Sequence, residues 1–379
     1  MKRQDIIGQE EVWQRLMQMA KENHLPHAML FCGPQGTGKL ATALYLAQYL
    51  ICENHNGYDQ PCGSCRQCSM VQKWEHPDLH FTYPTIKLSS MGSQHKPVSE
   101  DFIKEWRLMI KGHAYPTFEE WMEMIGTTNQ QAIITAAESD SLSQKLSLKA
   151  SQGGYKVSLI WLPEKMNQEC ANKLLKLIEE PPSKTVFILV SEEPQMLLET
   201  IRSRVQRIDF KRIAQADIQQ ALIEKRGLSE TDALRIARLA DGNWNKATEA
   251  LEPSSENELF LTQFQTLMRL AYSRNIKELK RWSDEVSEYG REKQKRFLLY
   301  TMRLIRENFM YNFQQEELNY MTLQEENFAR NFARFVNEDN ILPICDMVNL
   351  ALRDIGQNAN AKIVFFDFAL QMIMQLKHQ

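Results

Sequence analysis

The chain of 379 residues is 43% hydrophobic and 25% charged, with 45 Lys+Arg against 48 Asp+Glu and a net charge of −3. That length accommodates two or three domains with separate cores, and 15 Gly with 13 Pro are too few for a disordered or fibrous chain. The charge balance excludes a histone-like polycation while leaving room for a local basic face, and neither a membrane-length apolar run nor a signal-peptide core is evident, so a soluble, cytoplasmic chain with no membrane partner is expected.

Residues 10–23 carry Val12, Leu16 and Met19 at helical spacing. Ala28–Cys32 (AMLFC) is a short apolar run leading into GPQGTGK and then LATALYLAQYLIC, which reads as strand, glycine-rich turn and helix. Residues 52–68 hold a cysteine cluster. From about 84 to 130 the pattern is that of a helical insertion. Ser89–Ser99 is polar and turn-rich, after which Phe102, Ile103, Trp106, Met109 and Ile110 form an apolar helical stripe. Trp106 and Trp121 read as buried anchors of an added helix pair in preference to a partner contact.

Regular alternation then resumes. Gln131–Thr135 reads as a strand, Glu138–Ala150 as a helix, Lys156–Leu162 as a buried strand and Asn167–Glu180 as a helix stopped by Pro181-Pro182. Thr185–Val190 is a second buried strand, Pro194–Ser203 a short helix and Val205–Phe210 a last strand. Apolar strands alternating with helices predict a parallel sheet covered on both faces. Strand signals stop after Phe210. Residues 214–251 read as three short helices, PSSEN (253–257) as a linker, and 258–379 as helical almost throughout. Phe260, Phe264, Leu267 and Leu270, and Phe297, Leu298, Met302 and Ile305, read as core stripes. The domain boundaries expected are 1–210, 211–252 and 253–379.

Gly33-Pro34-Gln35-Gly36-Thr37-Gly38-Lys39 fits G-x-x-x-x-G-K. Gly33, Gly36, Thr37 and Gly38 would present backbone N–H groups to phosphate oxygens at a helix N-terminus, with Lys39 reaching the outer phosphates. The plainer alternative is a glycine turn that only joins strand to helix. The hydroxyl that would ligate Mg²⁺ is replaced by Leu40. A hydrolytic site also needs carboxylates at the end of a buried strand. Here Lys156–Ile160 runs on as Trp161-Leu162-Pro163, and Glu164 reads as too far along to substitute without a register shift. ATP or ADP binding is compatible with the loop; hydrolysis is not expected.

Cys52, Cys62, Cys65 and Cys68 (C-x9-C-x2-C-x2-C) supply four thiolates, enough to close a tetrahedral structural Zn²⁺ site, with Pro61 and Gly63 allowing the sharp turn. An iron–sulfur cluster and four free thiols are the alternatives. Cys32, Cys170 and Cys345 read as ordinary buried thiols.

Ile7-Gly8-Gln9, GPQGTGK, Cys52…CGSCRQC, KVSLIWLPEKMN, CANKLLKLIEEPP and ETIRSRVQRIDF occur in that order. Together they resemble the delta-prime subunits of the bacterial DNA polymerase III clamp loader, clearly over about 1–83 and 131–250. For the C-terminal region the resemblance rests on length and helicity alone, and 84–130 has no counterpart in it. The resemblance implies an AAA+ module (1–210) with a zinc module, a small helical lid (211–252) and an all-α collar (253–379) that joins a heteropentamer with gamma/tau and delta subunits. It further implies contact with the sliding clamp and primer-template DNA through that complex. The family's Ser-Arg-Cys motif matches Ser203-Arg204-Val205, making Arg204 the candidate arginine finger that acts in trans on a neighbour's ATP. A guanidinium is a fixed, always-charged fork suited to phosphate oxygens. The alternative is that Arg202, Arg204 and Arg207 form a solvated rim. The lid stretch 241–247 aligns with a pattern in which motor subunits place a nucleotide-sensing arginine; here that position is Asn245.

The reading favoured is a non-hydrolysing clamp-loader subunit. An active motor ATPase of the gamma/tau type is the alternative, and a zinc-module nucleic-acid binder is a third that the net charge disfavours.

Overall fold

The computed structural model describes residues 1–22, 24–55, 60–126, 131–150, 154–251, 255–314 and 320–376. Two compact units form, Met1–Thr248 and Glu249–Gln379.

In the first unit, helix α1 (Glu10–Lys21) precedes β1 (Ala28–Cys32), the phosphate-type loop and α2 (Lys39–Ile51). The buried stripe of α1 is Trp13, Leu16 and Met17; Val12 and Met19 lie at its margins, because Trp13 packs against Tyr45 of α2 at 4.8 Å between ring centroids. Every residue of α2 is buried. Next come α3 (Arg66–Gln72), β2 (Leu79–Thr82), α4 (Ile103–Gly112), α5 (Phe118–Met124) and α6 (Ala136–Ser147). The chain continues through β3 (Lys156–Trp161), α7 (Gln168–Glu179), β4 (Thr185–Ser191), α8 (Glu199–Arg202) and β5 (Gln206–Asp209). Helices α9 (Gln215–Arg226), α10 (Glu230–Ala240) and α11 (Trp244–Glu249) follow.

The five strands form one all-parallel sheet in the order β2-β3-β4-β1-β5. β1, β3 and β4 are buried at every position, which is why they read as unbroken apolar runs. β1 lies between β4 and β5, so the loop after Cys32 opens at the carboxyl edge where the strand order reverses, the usual position of a ligand crevice in such sheets. The sheet is parallel and alternates with helices, as expected, and α9–α11 follow it.

Three local differences from the sequence reading have physical causes. Gln131–Thr135 is no strand: Ile133 and Ile134 make single bridges, to Thr85 and Met166, because no neighbouring strand runs beside them. Pro194–Ser203 is broken at Leu197 and Leu198, leaving only Glu199–Arg202 as α-helix. β2, too short and polar to read as a strand, pairs with β3 from Leu79↔Val157 to Thr82↔Ile160. The insertion is helical as expected, and its residues 127–130 lie outside the described residues. Trp106 and Trp121 are both fully buried, stacked and edged against Tyr83 at 4.3 and 4.9 Å.

The second unit is all-α: α12 (Ser255–Tyr272), α13 (Ile276–Ser287), α14 (Arg291–Tyr311), α15 (Leu323–Phe332), α16 (Ile341–Gly356) and α17 (Ala361–Gln375). Phe260, Phe264, Leu267, Phe297, Leu298 and Ile305 are in its core, with Leu270 and Met302 packed at the margin. Of the expected linker, 255–257 already belong to α12, and 253–254 lie outside the described residues. No described helix is long and apolar enough to cross a membrane.

Candidate functional site

The two ends of α2 carry the two candidate sites. At its C-terminal end, Cys52 meets Cys62, Cys65 and Cys68, and all four Sγ atoms lie within 4.8 Å of one another. Cys52, Cys65 and Cys68 are buried as a cluster, and Cys62 closes it from the exposed side. Gly63, at φ +73°, makes the reversal that no side chain would tolerate cheaply. Backbone N–H groups point at the sulfurs: Cys62 N–H donates to Cys52 Sγ at 3.3 Å, Cys65 N–H to Cys62 Sγ at 3.3 Å, and Cys68 N–H to Cys65 Sγ at 3.4 Å. The Ser64 and Cys65 N–H groups pull the Cys62 thiol down to about 6, whereas burial pushes Cys52 and Cys68 up. A tetrahedral zinc with ligands at about 2.3 Å sets sulfurs roughly 3.8 Å apart. Cys62 and Cys68 stand 3.9 Å apart, so the donor set fits a closed metal site.

The N-terminal end of α2 is different. Lys39, 5% exposed, folds back to donate from Nζ to the Pro34 carbonyl at 2.5 Å, and Thr37 Oγ1 donates to the same oxygen at 2.8 Å. The Gly36 carbonyl accepts the Trp244 N–H at 2.9 Å. A Cβ on Gly36 would fall 1.8 Å from Asn243 Oδ1, and one on Gly38 would fall 3.1 Å from the Tyr115 hydroxyl. Tyr115, from the turn between α4 and α5, accepts the Ile7 N–H at 2.7 Å. As placed, Gly33, Gly36, Thr37, Gly38 and Lys39 form the loop, with the Pro34 and Gly36 carbonyls accepting hydrogen bonds and Asn243 and Tyr115 beside Gly36 and Gly38. Tyr115 was not legible in the sequence as part of this site; Asn243 lies in the lid stretch 241–247 that the resemblance placed at the nucleotide, where Asn245 was the position expected.

The end of β3 carries Trp161 and is followed by Leu162, where the sequence reading looked for carboxylates. Trp161 and Leu162 are 2% exposed there, and Trp161 packs on Trp106 of the insertion at 5.3 Å. Glu164, however, comes closer than its spacing suggests. Leu162 takes a left-handed conformation (φ 54°) and Pro163–Lys165 form a tight turn, so Glu164 Oε1 accepts the N–H groups of Glu192 and Glu193 at 2.9 and 3.2 Å. Burial pulls the Lys39 ammonium down to about 8, while the charges of Glu192 and Glu164 act to raise it. Burial likewise pushes the Glu192 carboxyl up.

Arg204 lies at the opposite edge of the sheet. β5 runs parallel to β1 in the register Met29↔Gln206 to Cys32↔Asp209, so Arg204 precedes the amino end of the strand while the phosphate-type loop follows its carboxyl end. At about 3.3 Å per residue, roughly 13 Å of strand separates those levels. The guanidinium is 41% exposed; it donates from Nε to Glu179 and from Nη1 to the Thr200 carbonyl at 2.9 Å. Arg207 pairs with Asp209 at the surface. Asn245, at the expected lid position, is buried and donates its N–H to Asn243 Oδ1 at 2.9 Å.

The delta-prime subunit of DNA polymerase III from Bacillus subtilis is 31% identical over 250 residues, which is 66% of this chain and 60% of the relative. The tau subunit from the same organism is 27% identical over 259 residues, 66% of this chain and 37% of the relative. The alignments thus span less than two thirds of those relatives' own lengths. A Thermotoga maritima protein related to the DNA polymerase III gamma subunit superposes with a TM-score of 0.45 at 15% identity, covering 96% of this chain and 99% of its own. The family described as "DNA polymerase III, delta subunit" matches residues 8–214, more than half of the chain. The chain therefore belongs to that DNA polymerase III family, as a delta-prime-like clamp-loader subunit.

Proposed function

We propose that this chain is a non-hydrolysing member of the clamp-loader ring that lends Arg204 to the ATP of a neighbouring subunit. The reading is supported above all by the division between its two sheet edges. The edge that would cleave ATP in cis carries Trp161, Leu162 and Leu40, all buried, in place of two carboxylates and a hydroxyl. The edge that bears Arg204 is exposed and too far from the chain's own loop to serve it. The surface pair with Glu179 holds the guanidinium only weakly, at about 0–1 kcal/mol, so it can be exchanged for phosphate oxygens. In this reading 1–210 is the AAA+ domain, 211–252 the lid and 253–379 the collar that joins gamma/tau and delta subunits in a heteropentamer. Clamp and primer-template DNA are met through that assembly. Cys52, Cys62, Cys65 and Cys68 hold a structural Zn²⁺.

The test is the reconstituted loader. Arg204→Ala should lower DNA- and clamp-stimulated ATP turnover by about tenfold or more, as expected for loss of a transition-state arginine, while the variant subunit melts like wild type. Unchanged turnover would remove the trans-arginine role. A second reading, a motor ATPase of the gamma/tau type, draws on Glu164 and Glu192 acting on Lys39. It requires turnover by the chain alone that Lys39→Ala abolishes.

A further inference from the structure

We propose that the phosphate-type loop is closed by the chain's own insertion, with Tyr115 acting as a built-in plug against nucleoside di- and triphosphates. This inference goes beyond the trans-arginine reading and stands without it. Three segments distant in sequence converge on the loop. Ile7 gives its N–H to the Tyr115 oxygen; Tyr115 lies against Gly38, the N-cap of α2; and Asn243 and Trp244 seal Gly36. A phosphate held by such a loop must bring its oxygens within about 3 Å of the loop N–H groups. The space that a Cβ would take at Gly36 and Gly38 is already held by a carboxamide and a phenol, so the approach to the loop is narrowed from that side.

The plug is anchored. Tyr115 is 7% exposed, with the Trp244 ring 6.3 Å away, and belongs to the turn that links α4 to α5. Both helices are anchored: Trp106 contacts Trp161 of β3, and Trp121 Nε1 donates to the Pro84 carbonyl, just past β2, at 2.8 Å. Tyr115 therefore cannot leave by a rotamer change alone, since its hydroxyl holds a buried backbone N–H that would be left without a partner. The same insertion that covers the strand end with Trp106 thus also fills the cleft with Tyr115.

The full-length chain should be titrated with Mg²⁺ and the fluorescent analogue mant-ADP, comparing wild type, Tyr115→Ala and Tyr115→Ala/Lys39→Ala. Tyr115→Ala should bind at least tenfold tighter than wild type, and the added Lys39→Ala should erase the gain. Equal affinity of wild type and Tyr115→Ala, whether tight or undetectable, would overturn the proposal. Should Tyr115→Ala not fold, hydrogen exchange on wild type decides: the amides of Ile7 and residues 35–39 should be unchanged by millimolar Mg²⁺-ADP, and nucleotide-dependent protection there would overturn it. These readouts use the isolated chain, whereas the Arg204 test uses the assembled loader, so either can fail alone.

Discussion

One buried helix, α2, joins two motif-bearing ends that the tertiary structure treats in opposite ways. At its C-terminal end four sulfurs converge within 4.8 Å of one another, and backbone N–H groups support them. At its N-terminal end the phosphate-type loop keeps its glycines and lysine, yet Trp244 and its own Lys39 donate to its carbonyls, and Asn243 and Tyr115 stand against Gly36 and Gly38. A motif lists ligands; the surrounding chain decides whether they face a ligand or each other. Cysteines 52, 62, 65 and 68 are close in sequence and converge through one short turn. The phosphate loop depends on segments up to two hundred residues away remaining clear of it.

The contrast can be broken most forcefully at the cysteines. Cys68→Ser should abolish metal binding and unravel the module, because a structural zinc contributes on the order of 10 kcal/mol of apparent binding free energy in small zinc domains. Elemental analysis should fall from one equivalent of zinc to none, with new protease cleavage near Cys52–Cys68. A variant that keeps its metal and its melting temperature would show that this end of α2 is no more of a site than the other.

Next comes the anchor of the plugged end. Trp106→Ala deletes a fully buried indole that touches Phe81, Tyr83, Trp121 and Trp161. It should cost about 3–5 kcal/mol in denaturant unfolding. Leu108→Ala on the same helix, 66% exposed, should change stability by no more than about 0.5 kcal/mol. Equal effects would mean that the insertion is not held by its aromatic core.

The smallest effect is a pH signature of the filled loop. Lys39 titrates near 8 in the folded chain and near 10.5 when unfolded. Between those values the unfolded chain binds more protons, so the native state gains stability as pH rises, by up to about 1.4 kcal/mol per pH unit, and gains nothing further from this group above 10.5. Lys39→Met removes the group. Its stability relative to wild type should therefore be most favourable at pH 7 and should decline between pH 8 and 10. A pH-independent difference would show that Lys39 is not desolvated and that the loop is open.

Much of this was legible in the chain. AMLFC, KVSLIW and TVFILV are strands buried at every position, and such strands declare themselves as short apolar runs. The cysteine spacing announced a cluster able to hold a metal because its geometry is local. The glycines of GPQGTGK announced a loop, and Trp161, Leu162 and Leu40 are the residues on which the non-hydrolysing proposal rests. β2 escaped notice because LHFT has no pattern of its own and is a strand only by pairing with β3. The apolar run of Gln131–Thr135 has the local look of a strand but lacks a neighbour to pair with.

What the amino-acid order determined by itself, then, was everything settled within a few residues: period, turn, cap and closely spaced ligands. Whether Glu164 reaches the cleft, whether Arg204 faces its own loop or the opposite edge, and whether Tyr115 stands over Gly38 were decided only by packing. Each depends on a backbone turn at Leu162, a parallel register or an aromatic anchor at Trp106, and contacts between residues a hundred positions apart leave no periodic trace along the chain.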